Sequence, residues 1–330
     1  MRALSRSVLV LLVLATMAGS ASAAVVVRPR WRVVDQKAFG IAKSGPYVLL
    51  GWESGRALLI DGRTGKRVTL APRAGCSFDD GHYSPLGGSW VVTGCRSGSF
   101  ELYSIPTGRW IRFTPDLDQM YAASGLCANR YPPLCGAQYA TIGSEWIEFD
   151  VSYGYHSGPI VPTYTRIRSG QITTEPPGVT PGGNQILDLD SPSLTRTLCD
   201  PLRLPVPFAT IVPDGRFTVF EEIEPPKYDL HAYLERCGSS LRKTIGTDVS
   251  SFAADPQAVL WSGGSPTELD GLSLPRLGRL RIQLPDQVAS LCRRKGSVCI
   301  SGLALTRRTL YVSAWNGQIW SAGSPLGSAT

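Results

Sequence analysis

The sequence predicts an all-β fold, a closed β-propeller of four-stranded antiparallel blades, and three observations carry that expectation. Turn-forming residues are abundant: 35 Gly and 25 Pro make up about 18% of the 330 residues, against a usual ~12%. One stretch repeats without a gap at an offset of 43 residues, the size of a single propeller blade. Hydrophobic residues make up 43% of the chain and charged residues 18%, with a formal net charge of +7. That balance is too apolar for a disordered chain and too evenly polar for one that crosses a membrane many times.

Residues 1–23 read as a signal peptide. Arg2 and Arg6 form a positive start, residues 8–17 are almost wholly apolar, and Ala21-Ser22-Ala23 supplies the small-x-small pattern before a cleavage site after Ala23. The apolar core is shorter than the ~18 residues a membrane span needs, and no Cys follows it to carry a lipid. The expectation is an exported monomer, secreted or held on the exterior of the cell envelope, in which residues 24–330 form one propeller domain.

The repeat sets residues 47–70 (YVLLGWESGRALLIDGRTGKRVTL) over residues 90–113 (WVVTGCRSGSFELYSIPTGRWIRF). Val48 matches Val91, Gly51 matches Gly94, Ser54-Gly55 matches Ser97-Gly98, Leu59 matches Leu102, and Thr64-Gly65 matches Thr107-Gly108. Each unit therefore reads strand, Ser-Gly turn, strand, Thr-Gly turn, strand. The glycines fall where a hairpin requires positive φ, and the β-branched and aromatic runs between them suit pleated, half-buried strands. An innermost strand precedes each run, over residues 39–42 in the first unit and 78–83 in the second.

Weaker copies continue down the chain. Residues 145–152, 216–223, 258–263 and 309–315 each read as a second strand, with later turns at Ser169-Gly170, Gly238-Ser239 and Gly278. Residues 186–199 read as an abbreviated unit. The interval from Tyr47 to Thr309 is 262 residues, close to six steps of 43, which favours seven blades, with six as the alternative. The final unit ends with the strand at 318–322 and lacks a fourth. Residues 25–34 (VVVRPRWRVV) supply it, closing the ring and removing sheet edges that would otherwise aggregate.

This pattern resembles the secreted bacterial β-propeller repeat proteins of the TolB-like and Trp-Asp-repeat superfamilies. The resemblance is architectural: the blades lack a terminal Trp-Asp pair. The last hairpin, residues 313–320 (SAWNGQIW), is similar to the sialidase Asp-box but carries Trp315 where the Asp belongs. The resemblance implies the fold and brings no activity with it.

The eight cysteines all lie beyond residue 23, as export to an oxidising compartment leads one to expect of disulfides. Cys76 enters the innermost strand of the second unit and Cys95 leaves its neighbour, so the two are expected to pair. Cys127 with Cys135 and Cys292 with Cys299 close short insertions between blades, and Cys199 with Cys237 follows by elimination. Their spacings do not suit zinc, and no metal or cofactor is expected.

Strand polarity decides which loops share a face. Turns between second and third strands lie with the connections between blades, and turns between third and fourth strands lie opposite. The first, the loop face, collects Trp52, Glu53, Arg96, Tyr153, Tyr155, His156, Trp315 and the acidic run Glu221, Glu222 and Glu224. Aromatic planes beside carboxylates suit sugars or peptides, so Trp52, Glu53, Tyr153, Tyr155, His156, Glu222 and Trp315 are the expected binding residues. A cell-wall glycan or an extracellular protein is the expected ligand. The opposite face is basic, with Arg63, Lys66, Arg109, Arg168, Arg236, Arg276 and Arg279 at or next to third-to-fourth turns. Such a rim suits an anionic wall polymer or a phospholipid surface.

Catalytic signatures are missing: there is no G-x-S-x-G elbow, no H-E-x-x-H and no phosphate loop. Asp79, Asp80 and His82, and then Asp188 and Asp190, are the best acid/base groupings, and they read as turn braces. His156 and His231 stand alone. The leading reading is a secreted, non-enzymatic propeller that binds a macromolecule or glycan through its loop face, with nucleic acid excluded by export. The alternative is an extracellular carbohydrate-active hydrolase or lyase with its site near the propeller axis.

Overall fold

A computed structural model describes residues 24–35, 40–51, 55–78, 85–126, 135–143, 145–153, 160–174, 209–211, 217–224, 229–236, 242–247, 249, 251–274, 276–295 and 299–324. Two short strands come first, β1 (Val25–Val27) and β2 (Arg32–Asp35). Six antiparallel sheets follow among the described residues. Blade 1 is β3 (Ile41–Ser44), β4 (Tyr47–Leu50), β5 (Ala57–Asp61) and β6 (Arg67–Leu70). Blade 2 is β7 (Cys76–Ser77), β8 (Leu86–Gly87), β9 (Trp90–Cys95), β10 (Phe100–Ser104) and β11 (Arg109–Phe113). Helix α1 (Leu117–Ser124) then leads to blade 3, with β12 (Cys135–Ile142), β13 (Trp146–Tyr153), β14 (Ile160–Arg166) and β15 (Ile172–Thr173).

Blade 4 is β16 (Ala209–Ile211), β17 (Phe217–Glu224), β18 (Asp229–Arg236) and β19 (Arg242–Thr247). Blade 5 is β20 (Ser251–Ala254), β21 (Ala258–Ser262), β22 (Glu268–Ser273) and β23 (Gly278–Gln283). Helix α2 (Asp286–Lys295) leads to the last sheet, blade 6, with β24 (Ile300–Leu305), β25 (Thr309–Ala314) and β26 (Gln318–Gly323).

The meander forms because the turns between short apolar strands are built for reversal. Gly55, Gly65, Gly98 and Gly108 have φ of 78°, 79°, 75° and 68°, a region that costs a residue with a Cβ but not glycine. In the Thr64-Gly65 turn, Asp61 accepts from the Arg63 amide at 2.9 Å and from the Thr64 hydroxyl at 2.7 Å. Burial pushes the Asp61 carboxyl up, but these bonds outweigh it and hold the group below its ordinary range.

Among the described residues five successive cores join the six sheets, so that blades 1, 2, 5 and 6 are covered on both faces. Leu49 and Leu59 of blade 1 pack with Val91 and Tyr103 of blade 2. Val92 and Leu102 of blade 2 meet Ile147 and Phe149 of blade 3. On the other side, Val48 and Ile60 meet Ala304, Tyr311 and Ile319 of blade 6. Blade 6 packs on blade 5 through Leu303, Val312, Leu260 and Ile282, and Leu234 of blade 4 packs with Val259 and Trp261 of blade 5. Innermost strands accordingly stand side by side: β12 by β8, β8 by β3, β3 by β24, β24 by β20 and β20 by β16. The order is blade 3, 2, 1, 6, 5, 4, a propeller-type arrangement in which the first and last sheets of the chain are neighbours. The abbreviated unit expected at 186–199 lies outside the described residues.

The N-terminal segment divides where a single strand was expected over 25–34. Only β2 pairs antiparallel with β26 as the fourth strand of blade 6 (Val33 opposite Trp320). β1 crosses to the neighbouring sheet and pairs parallel with β23 (Val25 opposite Leu280). The Trp31 indole pins the crossing by donating to the Gln283 carbonyl at 2.8 Å, and the rigid φ of Pro29 between Arg28 and Arg30 suits an extended crossing. The innermost position of blade 2, expected over 78–83, is filled by two short pieces, β7 and β8, both against β9.

The all-β expectation also missed the two helices. Asp116 caps α1 by accepting from the Gln119 amide at 3.0 Å, and Gly125 ends it at φ 67°. α1 buries Met120 among Trp90, Ile147 and Phe149. α2 buries Val288, Leu291 and Cys292 against blades 5 and 6 and places Arg293, Arg294 and Lys295 at its C-terminal end, where the helix dipole favours cations.

Candidate functional site

The loop face is built from the turns after β4, β9, β13, β17, β21 and β25 and from the connections that carry α1 and α2. Of the expected binding residues, Tyr153 and Trp315 are described with their side chains. Trp52, Glu53, Tyr155 and His156 lie outside the described residues. Glu222 belongs to the strand β17 rather than to a turn, opposite His231 of β18, so the acidic run is placed along a sheet and not at its tip. Asp79, Asp80, His82, Asp188 and Asp190 lie outside the described residues.

Trp315 is the most exposed large hydrophobic side chain among the described residues of this face. It is 56% exposed, at the tip of the β25–β26 turn. The turn is closed by Gly317, whose amide bonds the Ala314 carbonyl at 3.0 Å, and Asn316 is braced against Gln318 through bonds of 2.9 and 3.1 Å. The Trp315 amide donates to the Cys299 carbonyl at 2.9 Å, and Cys299 is bridged to Cys292 of α2. The indole is thus carried by a hairpin tied to a disulfide-clamped helix, whose buried face is set in the core between blades 5 and 6. Tyr153 is half-buried and stands opposite Cys135, a cysteine that is itself disulfide-bonded.

The covalent links gather on this face. Cys76 and Cys95 stand directly opposite in register and are bridged, and the Cys292–Cys299 bridge closes the α2 connection. Cys127, Cys199 and Cys237 lie outside the described residues. Beside the Cys76–Cys95 bridge a cavity of about 670 Å³ opens at the seam of blades 2 and 3, lined by Arg96, Phe100 and Tyr139 among others. Phe100 sits 5.6 Å from Phe149 and 6.0 Å from Tyr139, ring to ring. The Arg112 guanidinium is held over Ser97 and Ser99 at 3.0 to 3.2 Å. Phe100 and Tyr139 were absent from the expected set, because their role follows from which two blades meet and not from a loop motif.

The opposite, turn face carries Arg63, Lys66, Arg109, Arg168, Arg236, Arg276 and Arg279 at or next to third-to-fourth turns, as strand order requires. Among the described residues no three His, Cys, Asp or Glu come together as a metal site would need. No helix of the described residues is long and apolar enough to cross a membrane.

No protein-family model and no curated protein matches the chain. Among solved structures it is similar to PorZ, described as an essential bacterial surface component of the type-IX secretion system of Porphyromonas gingivalis. The identity is 12% and the TM-score 0.43, with 89% of this chain and 39% of that one covered. The chain thus spans well under half of PorZ. It is also similar to regucalcin, described as a calcium-binding protein, from Agrobacterium tumefaciens (12% identity, TM-score 0.39, 91% and 96% covered). A third similar structure is a chain of the mitotic checkpoint complex (12%, 0.42, 90% and 91%). Likeness this remote carries no argument about function, and the architecture rests on the strand pairing and cores above.

Proposed function

We propose that the protein is an exported, non-enzymatic β-propeller that binds a glycan or an extracellular protein through its loop face, after cleavage behind Ala23. The observation that supports this most is Trp315: a large apolar plane more than half exposed, on a turn whose backbone is tied to the Cys292–Cys299 bridge. An exposed indole on a floppy loop loses entropy when it stacks on a ligand, whereas one on a fixed turn has already lost it. Tryptophan is also among the residues most enriched where binding energy concentrates. Tyr153, and on this reading Trp52, Glu53, Tyr155 and His156, extend the same face.

The test is a combined glycan and peptide array probed with protein purified after export. A saturable glycan or peptide ligand, recovered chemically unchanged after incubation, is expected. Cleavage of the ligand would replace this reading with the hydrolase or lyase one, and an array without hits would remove it.

A further inference from the structure

We infer that the turn face holds a second site, independent of the loop face, which binds a linear chain of phosphate groups. The site is a cavity of about 1270 Å³ where blades 5, 6 and 1 meet, under the N-terminal crossing between β1 and β2. The crossing contributes Arg28, Arg30 and Arg32 to its lining. Blade 1 contributes Lys43, Arg63 and Arg67, and the β24–β25 turn of blade 6 contributes Arg307 and Arg308. Among the described residues the one acidic residue in the lining is Asp255. Among the described lining residues, eight cations against one carboxylate give a formal +7, equal to the net charge of the whole 330-residue chain.

Asp255 does little to offset that charge, because its Oδ1 accepts from the amides of Gln257 and Ala258 at 2.8 Å each and braces its own turn. Lys43 donates to the Ala254 carbonyl. Among the described residues none of the seven arginines is held in a salt bridge. Like charges converging on one concave surface repel, and a recess focuses their field on whatever enters it. The arrangement is stabilised by a mobile counter-anion or by a ligand that replaces one.

The lining also selects the kind of anion. Seven of the eight cations are arginine, whose planar fork meets the paired oxygens of an oxyanion in bidentate fashion. Among the described residues no aromatic side chain lines the cavity, so they offer nothing for a sugar ring or a nucleobase to stack on. Recognition by charge without rings fits a backbone of repeated phosphates. The cavity volume exceeds the ~300–1,000 Å³ usual for small-molecule pockets, and its cations come from three separate elements. A single phosphate reaches one group of them, while a chain bridges all three. Such a ligand would also tie the crossing segment to blades 1 and 6, so it should resist undocking of β1 and β2.

The experiment measures binding of sodium polyphosphate of about 15 units by calorimetry at two salt concentrations, beside a thermal melt. The probes compared with it are inorganic phosphate, poly-glutamate, and vesicles containing phosphatidylglycerol. The variants are R307A/R308A, on an exposed turn, and R293A/R294A, which removes the same charge from α2 on the other face. The expected result is saturable binding that weakens steeply with salt and raises the melting temperature. R307A/R308A should bind roughly 10-fold or more weakly, as loss of charge-assisted contacts implies, and R293A/R294A like the wild type. Equal weakening in both variants would reduce the effect to net charge and overturn the site. Inorganic phosphate binding as tightly as the polymer would overturn the chain reading, and poly-glutamate or vesicles binding as tightly would overturn the choice of ligand. A turn variant with an unchanged melt keeps these outcomes separate from misfolding.

Discussion

The two faces of this propeller-type arrangement are held and charged in opposite ways. On the loop face, disulfides and two helices clamp the connections, and the most exposed large hydrophobic side chain among the described residues is an indole. On the turn face no bridge is found among the described residues, the backbones approach closely, and the exposed groups are guanidinium ions. The contrast follows from connectivity. The connections that carry α1 and α2 are longer than any turn, so fixing them takes helix packing and, for α2, a covalent bond. The β-turns of a meander are short and already fixed by glycine and backbone hydrogen bonds, so their outward side chains are free to carry charge. One face is therefore suited to shape and stacking, the other to long-range attraction.

The largest expected effect breaks the turn face at its tightest backbone contact. Gly87 of β8 is so close to β12 that a Cβ there would lie 1.6 Å from the Ile142 carbonyl oxygen. Gly87→Ala forces two innermost strands apart, at a cost of about 3 kcal/mol or more by analogy with severe overpacking, to be read from urea unfolding. Removing the loop-face bridges comes next. Replacing Cys76 and Cys95 by serine opens a loop spanning 19 residues of separation, and replacing Cys292 and Cys299 opens one of 7. Chain-entropy reasoning gives losses of about 3.3 and about 2.5 kcal/mol, so the first pair should lower the unfolding midpoint more. The reverse order would mean that the Cys292–Cys299 bridge acts by fixing the native turn under Trp315 rather than by restricting the unfolded chain.

A smaller effect concerns a charge away from both rims. Burial pushes the Asp150 carboxyl on β13 above its ordinary value of 3.8. The folded protein then holds a proton that the unfolded chain has lost, over the interval from 3.8 up to the raised value. Stability contributed by this group rises as pH falls through that interval, and at neutral pH its charge is a cost. Asp150→Asn should therefore raise the neutral-pH melting temperature slightly and remove that part of the acid-side gain, as melts at a series of pH values would register. A lower melting temperature at neutral pH would mean that the ionised carboxylate has a partner that outweighs its burial. Smallest of all is the expected stability change on Trp315→Ala: a side chain more than half exposed buries little, so the melt should hardly move even though binding at the loop face is lost.

Much of the blade structure was legible in the sequence because its signals are local. The Ser-Gly and Thr-Gly pairs of the first two units mark turns where Gly55, Gly65, Gly98 and Gly108 do adopt positive φ, and β4 to β6 and β9 to β11 lie between them. The pairing of Cys76 with Cys95 was readable for the same reason, since it needs only the register of adjacent strands. The helices were not, although Pro115-Asp116 and Pro285-Asp286 are ordinary helix starts. Segments of 8 and 10 residues are too short for an apolar period to stand out from loop composition. The cationic cavity was illegible for a different reason. Arg63 could be assigned to a turn, but its convergence with Arg28, Lys43 and Arg307 depends on β1 and β2 joining different sheets, and no residue pattern announces that division.

The contrast between the faces is tested most directly by titrating a loop-face ligand from the array, by calorimetry, into wild type, Trp315→Ala and the R307A/R308A double variant. The account predicts that Trp315→Ala loses at least about 10-fold in affinity, as removal of a central aromatic contact does, while the turn-face variant binds like the wild type. Affinity lost in R307A/R308A and retained in Trp315→Ala would contradict it, placing the principal binding surface on the cationic face.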